Sequence, residues 1–151
     1  IKAEEMINNF KKFKIQNKII LRLSGFIEGG GVFKYIKEQI KKNRKLKLFE
    51  GGDITRDYIS LDDVTNLILK LISKKIKKKK IISNIGSGKG IRIIDAIKLI
   101  SKYKKIDKKK IVTLNKSTKT KNFVMDISVA KKYLFYKPTN IRTNIKNYIL
   151  K

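Results

Sequence analysis

Apolar side chains recur along this chain in two rhythms. One is the three-to-four-residue spacing of a helix buried on one face, the other the short unbroken run of a strand covered on both. Over 2–14 the stripe Ala3, Met6, Ile7, Phe10 and Phe13 predicts a helix, with Glu4 and Glu5 near the end where the dipole favours negative charge. Ile19-Ile20-Leu21-Arg22-Leu23 predicts a buried strand, bounded by Asn17 and by Ser24-Gly25. Gly29-Gly30-Gly31 reads as a loop, and Val32, Phe33, Ile36 and Ile40 mark a helix over 32–42. Residues 46–60 read as a hairpin-like element: a strand ending at Phe49, a turn through Gly51-Gly52, and a return strand at Tyr58-Ile59. A longer helix follows from about Asp62 to Lys75, with Asp62 and Asp63 as the acidic opening that free N–H groups prefer.

The second half continues the alternation. Residues 81–85 predict a strand closed by Gly86-Ser87-Gly88, then a helix over 93–103 and a short strand at 111–114. Residues 115–122 are polar and irregular. Asp126 starts a short helix, and Pro138 breaks the chain before a last helix over 140–149. Strands alternating with helices predict an α/β fold with parallel pairing, and the hairpin with the C-terminal helices predicts a smaller lobe beside that sheet. There is no internal repeat and no linker long enough to divide residues 1–151 into two domains.

Composition changes this picture in three ways. The chain has 151 residues, 41% of them hydrophobic, enough for a core, and no apolar run long enough to span a membrane. It has neither Cys nor His, which removes disulfides, zinc clusters and a histidine base, and no metal site is expected. A reducing, cytoplasmic location is the expectation. The net charge is +27, which raises nucleic acid as a partner, but only five of the 39 basic residues are arginine. The lysines are spread over every segment, so a solvated surface is the expectation and nucleic acid is not. The densest run, Lys74-Lys75-Ile76-Lys77-Lys78-Lys79-Lys80, follows a helix, where cations suit the dipole.

Candidate chemistry gathers in one stretch, Phe49 to Val64. Arg56 is isolated among lysines and stands beside a glycine turn. A planar, permanently charged guanidinium there suits a phosphate held by a fork of hydrogen bonds. The other reading is a hairpin whose arginine pairs with Asp53 or Asp57. Gly86, Gly88 and Gly90 between a strand and a helix offer a second possible phosphate cradle, at a spacing that differs from the dinucleotide fingerprint.

Phe49-Glu50-Gly51-Gly52-Asp53-Ile54-Thr55-Arg56-Asp57-Tyr58-Ile59-Ser60-Leu61-Asp62-Asp63-Val64 resembles, ungapped, a signature of the extended short-chain dehydrogenases, the NAD-dependent nucleotide-sugar epimerases and dehydratases akin to UDP-galactose 4-epimerase. Glu50 stands for a usual glycine and Leu61 for a usual valine. Four further blocks resemble the same family in order: Ala3–Ile7, Ile20–Phe26, Asn84–Gly88, and Asp126 to Pro138. The likeness covers the C-terminal half of the family only. Beginning at Ile1 and not Met, the sequence reads as a piece of a longer one.

The resemblance implies the C-terminal part of a Rossmann-like doubly wound sheet with a small α+β substrate-binding lobe. It implies NAD or NADP as cofactor, a nucleotide sugar as substrate, hydride transfer at the sugar, and a homodimer as a possible assembly. Phe49 matches the position that meets the nucleotide base, Arg56 the arginine that meets the diphosphate, and Lys116 a second basic contact. Ser24, Gly25 and Phe26 match the strand end beside the nicotinamide, with Ile27-Glu28 in place of the usual Tyr-Gly. No catalytic residue is assigned: the family's Tyr-x-x-x-Lys is absent from its expected place and the glycine-rich pyrophosphate cradle is missing. The family's catalytic lysine falls just before Ile1, with Lys2 as the rival. The alternative is a degenerate, non-catalytic relative that binds a polyanion such as nucleic acid through its lysines.

Overall fold

The computed structural model describes residues 2–9, 17–114 and 121–151. Helix α1 (Lys2–Asn9) precedes strand β1 (Lys18–Leu23) and a two-residue strand β2 (Gly25–Phe26). Helix α2 (Gly31–Lys41), strand β3 (Leu46–Phe49) and the short strands β4 (Thr55–Arg56) and β5 (Tyr58–Ile59) follow. Then come α3 (Leu61–Ser73), β6 (Lys80–Ile85), β7 (Ile91–Arg92), α4 (Ile93–Ile100), β8 (Ile111–Leu114), α5 (Ser128–Tyr133) and α6 (Ile141–Leu150). The predicted first helix is present as far as Asn9; Phe10 and Phe13, on its predicted stripe, lie outside the described residues, as does Lys116.

Two parallel pairs organise the chain. β1 pairs with β6, from Lys18 opposite Lys80 to Leu23 opposite Ile85. β3 pairs with β8, from Leu46 opposite Ile111 to Phe49 opposite Leu114. Each pair has its own core. Around β1 and β6, α3 and α5 bury Val64, Leu67, Ile81, Ile85, Ala130 and Leu134. Around β3, the helices α2, α4 and α6 bury Phe33, Ile36, Leu48, Ile97, Ile100 and Ile145. The protein is thus a mixed α/β chain with parallel strands: a piece of a helix-covered sheet beside a smaller α+β lobe.

Residues 46–60 do not form a hairpin. β3 goes to β8, β4 pairs antiparallel with β7, and β5 pairs parallel with β2. The cause is the turn after Phe49. Glu50, Gly51 and Gly52 all have positive φ (47, 64 and 78°), so the chain turns out of the strand's plane instead of folding back on it. The opening of α3 differs too. Its cap is Ser60, in extended conformation, whose Oγ accepts from the N–H of Asp63 at 3.1 Å. This frees Asp63 for another task.

Candidate functional site

The carboxyl ends of parallel strands leave a crevice where no strand continues, the usual place for a ligand in open α/β sheets. Phe49 and Leu114 end β3 and β8 as register partners. Beside them lies an apolar cavity of about 480 Å³, whose walls include Val32, Tyr35, Phe49, Gly52, Ile54 and Leu114. Phe49 is 47% exposed. A large aromatic ring left open at a concave apolar wall is suited to a flat ring system. Tyr35 stands across the cavity with its hydroxyl fixed by the N–H of Lys47 at 2.9 Å.

Arg56 pairs with neither Asp53 nor Asp57. Its Nη1 donates to the carbonyl oxygens of Thr55, at 3.0 Å, and of Lys121. The guanidinium does not line the Phe49 cavity, although Ile54, two residues earlier, does. Both recorded bonds use Nη1, so Nε and Nη2 keep donors for an acceptor from outside. Asp53 instead binds Arg92 at 2.9 Å, and Arg92 also chelates Asp95. The bonds from Arg92 hold the Asp95 carboxyl below the usual carboxylate range.

Asp57 explains why the rest of the stretch is so regular. It is 2% exposed and accepts from the N–H groups of Ser87 (2.9 Å), Gly88 (3.1 Å) and Met125 (3.1 Å), and from the Ser87 hydroxyl. The amides of the glycine loop after β6 are therefore already occupied by a carboxylate of the protein. The loop has no room for a phosphate there, and the cradle reading of Gly86–Gly90 falls. A Cβ on Gly86 would sit 2.5 Å from Asp57 Oδ2, which is why the close approach needs glycine. Asp63 does the same work on the C-terminal segment, accepting from Thr139 N at 3.0 Å, Thr139 Oγ1 at 2.8 Å and Asn144 Nδ2 at 2.8 Å. Tyr136 completes the fastening by donating to the Gly86 carbonyl at 2.7 Å, and burial, then the Asp63 and Asp57 carboxylates, raise its phenol well above its ordinary range.

These three residues were missed as a unit from the sequence, though a signal existed. Asp57 is two residues from buried Ile59 on an extended segment, and Asp63 is four from buried Leu67 on a helix. Both spacings put the acid on the inward face.

The nicotinamide candidates lie at the carboxyl end of β1. Ser24 is buried and its hydroxyl has no hydrogen-bond partner among the described residues. Gly25 has a packing reason, since a Cβ there would meet the Tyr58 ring at 3.2 Å. Phe26 packs half-buried against the β1–β6 core. A second cavity, about 520 Å³, lies between the glycine loop and the segment after α5, near Lys89, Lys131 and Lys137. It is slightly larger than the Phe49 cavity but lies away from the β3 and β8 ends. The Ser87, Tyr136 and Thr139 hydroxyls on its wall are already engaged. Among the described residues no group of His, Cys, Asp and Glu could hold a metal, and no helix is long and apolar enough to cross a membrane.

The fold is thus mixed α/β with parallel strands, and one apolar cavity lies at the carboxyl ends of β3 and β8. Comparison with known proteins points the same way. No family model matches the sequence. The chain is 30% identical over 118 residues to an uncharacterized protein of Methanocaldococcus jannaschii, 77% of this chain and 35% of that one. It is 26% identical over 73 residues to dTDP-L-rhamnose 4-epimerase of Burkholderia thailandensis, 48% of this chain and 20% of that one. Among solved structures, UDP-N-acetylglucosamine 4-epimerase of Methanobrevibacter ruminantium, in complex with UDP-N-acetylmuramic acid, matches with a TM-score of 0.76 at 15% identity. The match covers 99% of this chain and 49% of that one. UDP-glucuronic acid 4-epimerase of Bacillus cereus, in complex with UDP-glucuronic acid and NAD, matches with a TM-score of 0.72 at 23% identity, 87% of this chain and 45% of that one. The chain thus has the fold of about half of a nucleotide-sugar epimerase, and it spans well under two thirds of the relatives it matches.

Proposed function

We propose that residues 1–151 are the C-terminal, nucleotide-sugar-binding portion of an NAD- or NADP-dependent sugar epimerase or dehydratase. The observation that carries this reading is the apolar cavity at the carboxyl ends of β3 and β8, with the exposed Phe49 ring on its wall. The base of a nucleotide sugar stacks on Phe49. Its diphosphate runs toward Arg56, whose Nε and Nη2 N–H groups donate to two phosphate oxygens in a bidentate fork. Lys116 is the second cation of this clamp. Ser24 offers its unpaired hydroxyl to the cofactor's nicotinamide edge, with Gly25 and Phe26 beside it. A dinucleotide held beside these residues would supply hydride-transfer chemistry at the sugar. Neither the family's Tyr-x-x-x-Lys in its expected place nor its pyrophosphate cradle is found in residues 1–151, so no turnover of a nucleotide sugar is expected from the chain by itself.

Calorimetric titration of the chain with UDP-glucose and dTDP-glucose tests the reading. Saturable binding that Phe49→Ala weakens supports it. Binding of neither sugar nucleotide, or turnover by the chain alone, contradicts it.

A further inference from the structure

The cavity between the glycine loop and the segment after α5 plays no part in the clamp proposed above. Its volume, about 520 Å³, is that of a small-molecule pocket. It shares no wall residue with the cavity beside Phe49. Its cations come from three places in the chain. Lys89 leaves the glycine loop after β6, Lys131 stands on α5, and Lys137 lies between α5 and α6. Evenly spread lysines in the sequence thus become, in the fold, three lysines around one concavity.

Nothing in the chain neutralises them. No acidic residue lines the cavity. All twelve Asp and Glu residues lie within the described residues, and none makes an ion pair with Lys89, Lys131 or Lys137. Among the described residues these three ammonium groups have no hydrogen bond or ring contact either. Other lysines differ. Lys98 meets Asp95, Lys110 meets Asn43, and Lys78 covers the Tyr133 ring. Like charges around a low-dielectric concavity focus a positive field in it, and an anion seated there relieves their repulsion.

The remaining polar groups narrow the mode of recognition. Asp57 occupies the amides of Ser87 and Gly88, so the backbone of the loop offers an anion nothing. The hydroxyls of Tyr136 and Thr139 donate to the Gly86 carbonyl and to Asp63. Open donors are left on the three lysines and on Asn140, whose Oδ1 accepts from Arg142 while its Nδ2 has no partner among the described residues. Charge count then selects the ligand. A terminal phosphate carries nearly two negative charges at neutral pH and an inner phosphate one, so a free-ended diphosphate carries about three. Three ammonium groups match it. The diphosphate of a nucleotide sugar is esterified at both ends and carries about two.

We propose that this cavity is a second anion site, which binds a free-ended diphosphate through Lys89, Lys131 and Lys137. The floor of the site is already fastened by Asp57, Asp63 and Tyr136, so binding needs little rearrangement and stabilises the fold by mass action. The inference is independent of sugar-nucleotide binding at Phe49.

The test is a titration of the chain with inorganic pyrophosphate and, separately, with ADP, at roughly 0.15 M salt, followed by backbone amide shifts. Both probes give saturable shifts at Lys89, Lys131 and Lys137–Ile141 and raise the melting temperature as their concentration rises. ADP binding more tightly marks an organic diphosphate as the ligand, and equal affinities mark pyrophosphate itself. Lys131→Gln with Lys137→Gln weakens binding at least about tenfold. It keeps the melting temperature of the unliganded chain, because the two side chains are exposed and unpaired. Lys102→Gln with Lys105→Gln removes the same charge from exposed residues that line neither cavity, and leaves binding unchanged. UDP-glucose shifts the cavity amides about threefold or more less tightly than ADP. Equal weakening by the two double variants overturns the proposal, since the net charge alone then attracts the probe. So do the absence of saturation, and UDP-glucose and ADP binding equally at these amides.

Discussion

Two halves of the stretch from Phe49 to Val64 have opposite physical characters. From Asp57 onward two carboxylates are buried and their hydrogen bonds are made: Asp57 holds the Gly86–Gly88 loop and Met125, and Asp63 holds Thr139 and Asn144. Before Asp57 two side chains stand differently. Phe49 is half-exposed at a cavity and Arg56 is tethered through one nitrogen, with donors to spare. A saturated carboxylate in a core has no capacity left for a ligand. An open ring and an unfilled guanidinium fork have. One run of sixteen residues therefore carries both a latch that fixes the fold and the two residues proposed to clamp a ligand.

Asp57→Ala should produce the largest effect, because it strips buried N–H groups of Ser87, Gly88 and Met125 of their acceptor. Loss of stability on the order of 3–5 kcal/mol is expected from urea unfolding. A loss below about 1 kcal/mol would mean that water replaces the carboxylate and that the latch is no latch. On the clamp side, Arg56→Lys should leave the unfolding midpoint in place while weakening nucleotide-sugar binding by about 1.5–3 kcal/mol, roughly ten- to a hundredfold. The reverse outcome, lost stability with unchanged affinity, makes Arg56 a strut for the Thr55 and Lys121 backbone and erases the contrast.

Gly86→Ala sharpens the latch by crowding instead of deletion. Its new methyl group meets Asp57 Oδ2 at 2.5 Å and Asp57 Cγ at 3.0 Å. A cost of about 1–3 kcal/mol is expected, with sugar-nucleotide affinity unaffected. Tyr136→Phe should cost least, about 1 kcal/mol for the bond to the Gly86 carbonyl. Its pH dependence has a definite sign. Folding raises the Tyr136 pKa, so the folded state favours the protonated phenol. That contribution is fully present below the unfolded value near 10 and is lost as pH rises above it. Tyr58 and Tyr148 shift the same way through burial, while Lys78 and Lys132 lower half-buried Tyr133. The difference between wild type and Tyr136→Phe isolates one residue: it should shrink between about pH 10 and 12.

The elements were legible because their apolar periods are strong. α3, β6 and β8 fall where the sequence places them, within a residue or two of the expected bounds. The parallel sense of pairing was legible, but the choice of partners within residues 46–60 was not. β3, β4 and β5 are close in sequence, and only the three consecutive positive φ values at Glu50–Gly52 send them to different partners. A serine at the N-cap was hidden by the more conspicuous Asp62 and Asp63, although serine in extended conformation is as good a cap as aspartate. Arg56 stood out by residue type and turn chemistry, and Phe49 through the family resemblance. Asp57 did not, because nothing local announces that its acceptors are needed by Ser87 and Gly88, thirty residues on.

The central claim is that a nucleotide sugar binds where β3 and β8 end. Backbone amide shifts recorded while UDP-glucose is titrated into the chain test it most directly, at low salt and again at roughly 0.2 M salt. Shifts confined to Phe49, Leu114, Tyr35 and the Thr55–Arg56 segment, and retained in salt, are the predicted result. Shifts centred on Lys74–Lys80 that vanish with salt would contradict it and mark the chain as a binder of polyanions.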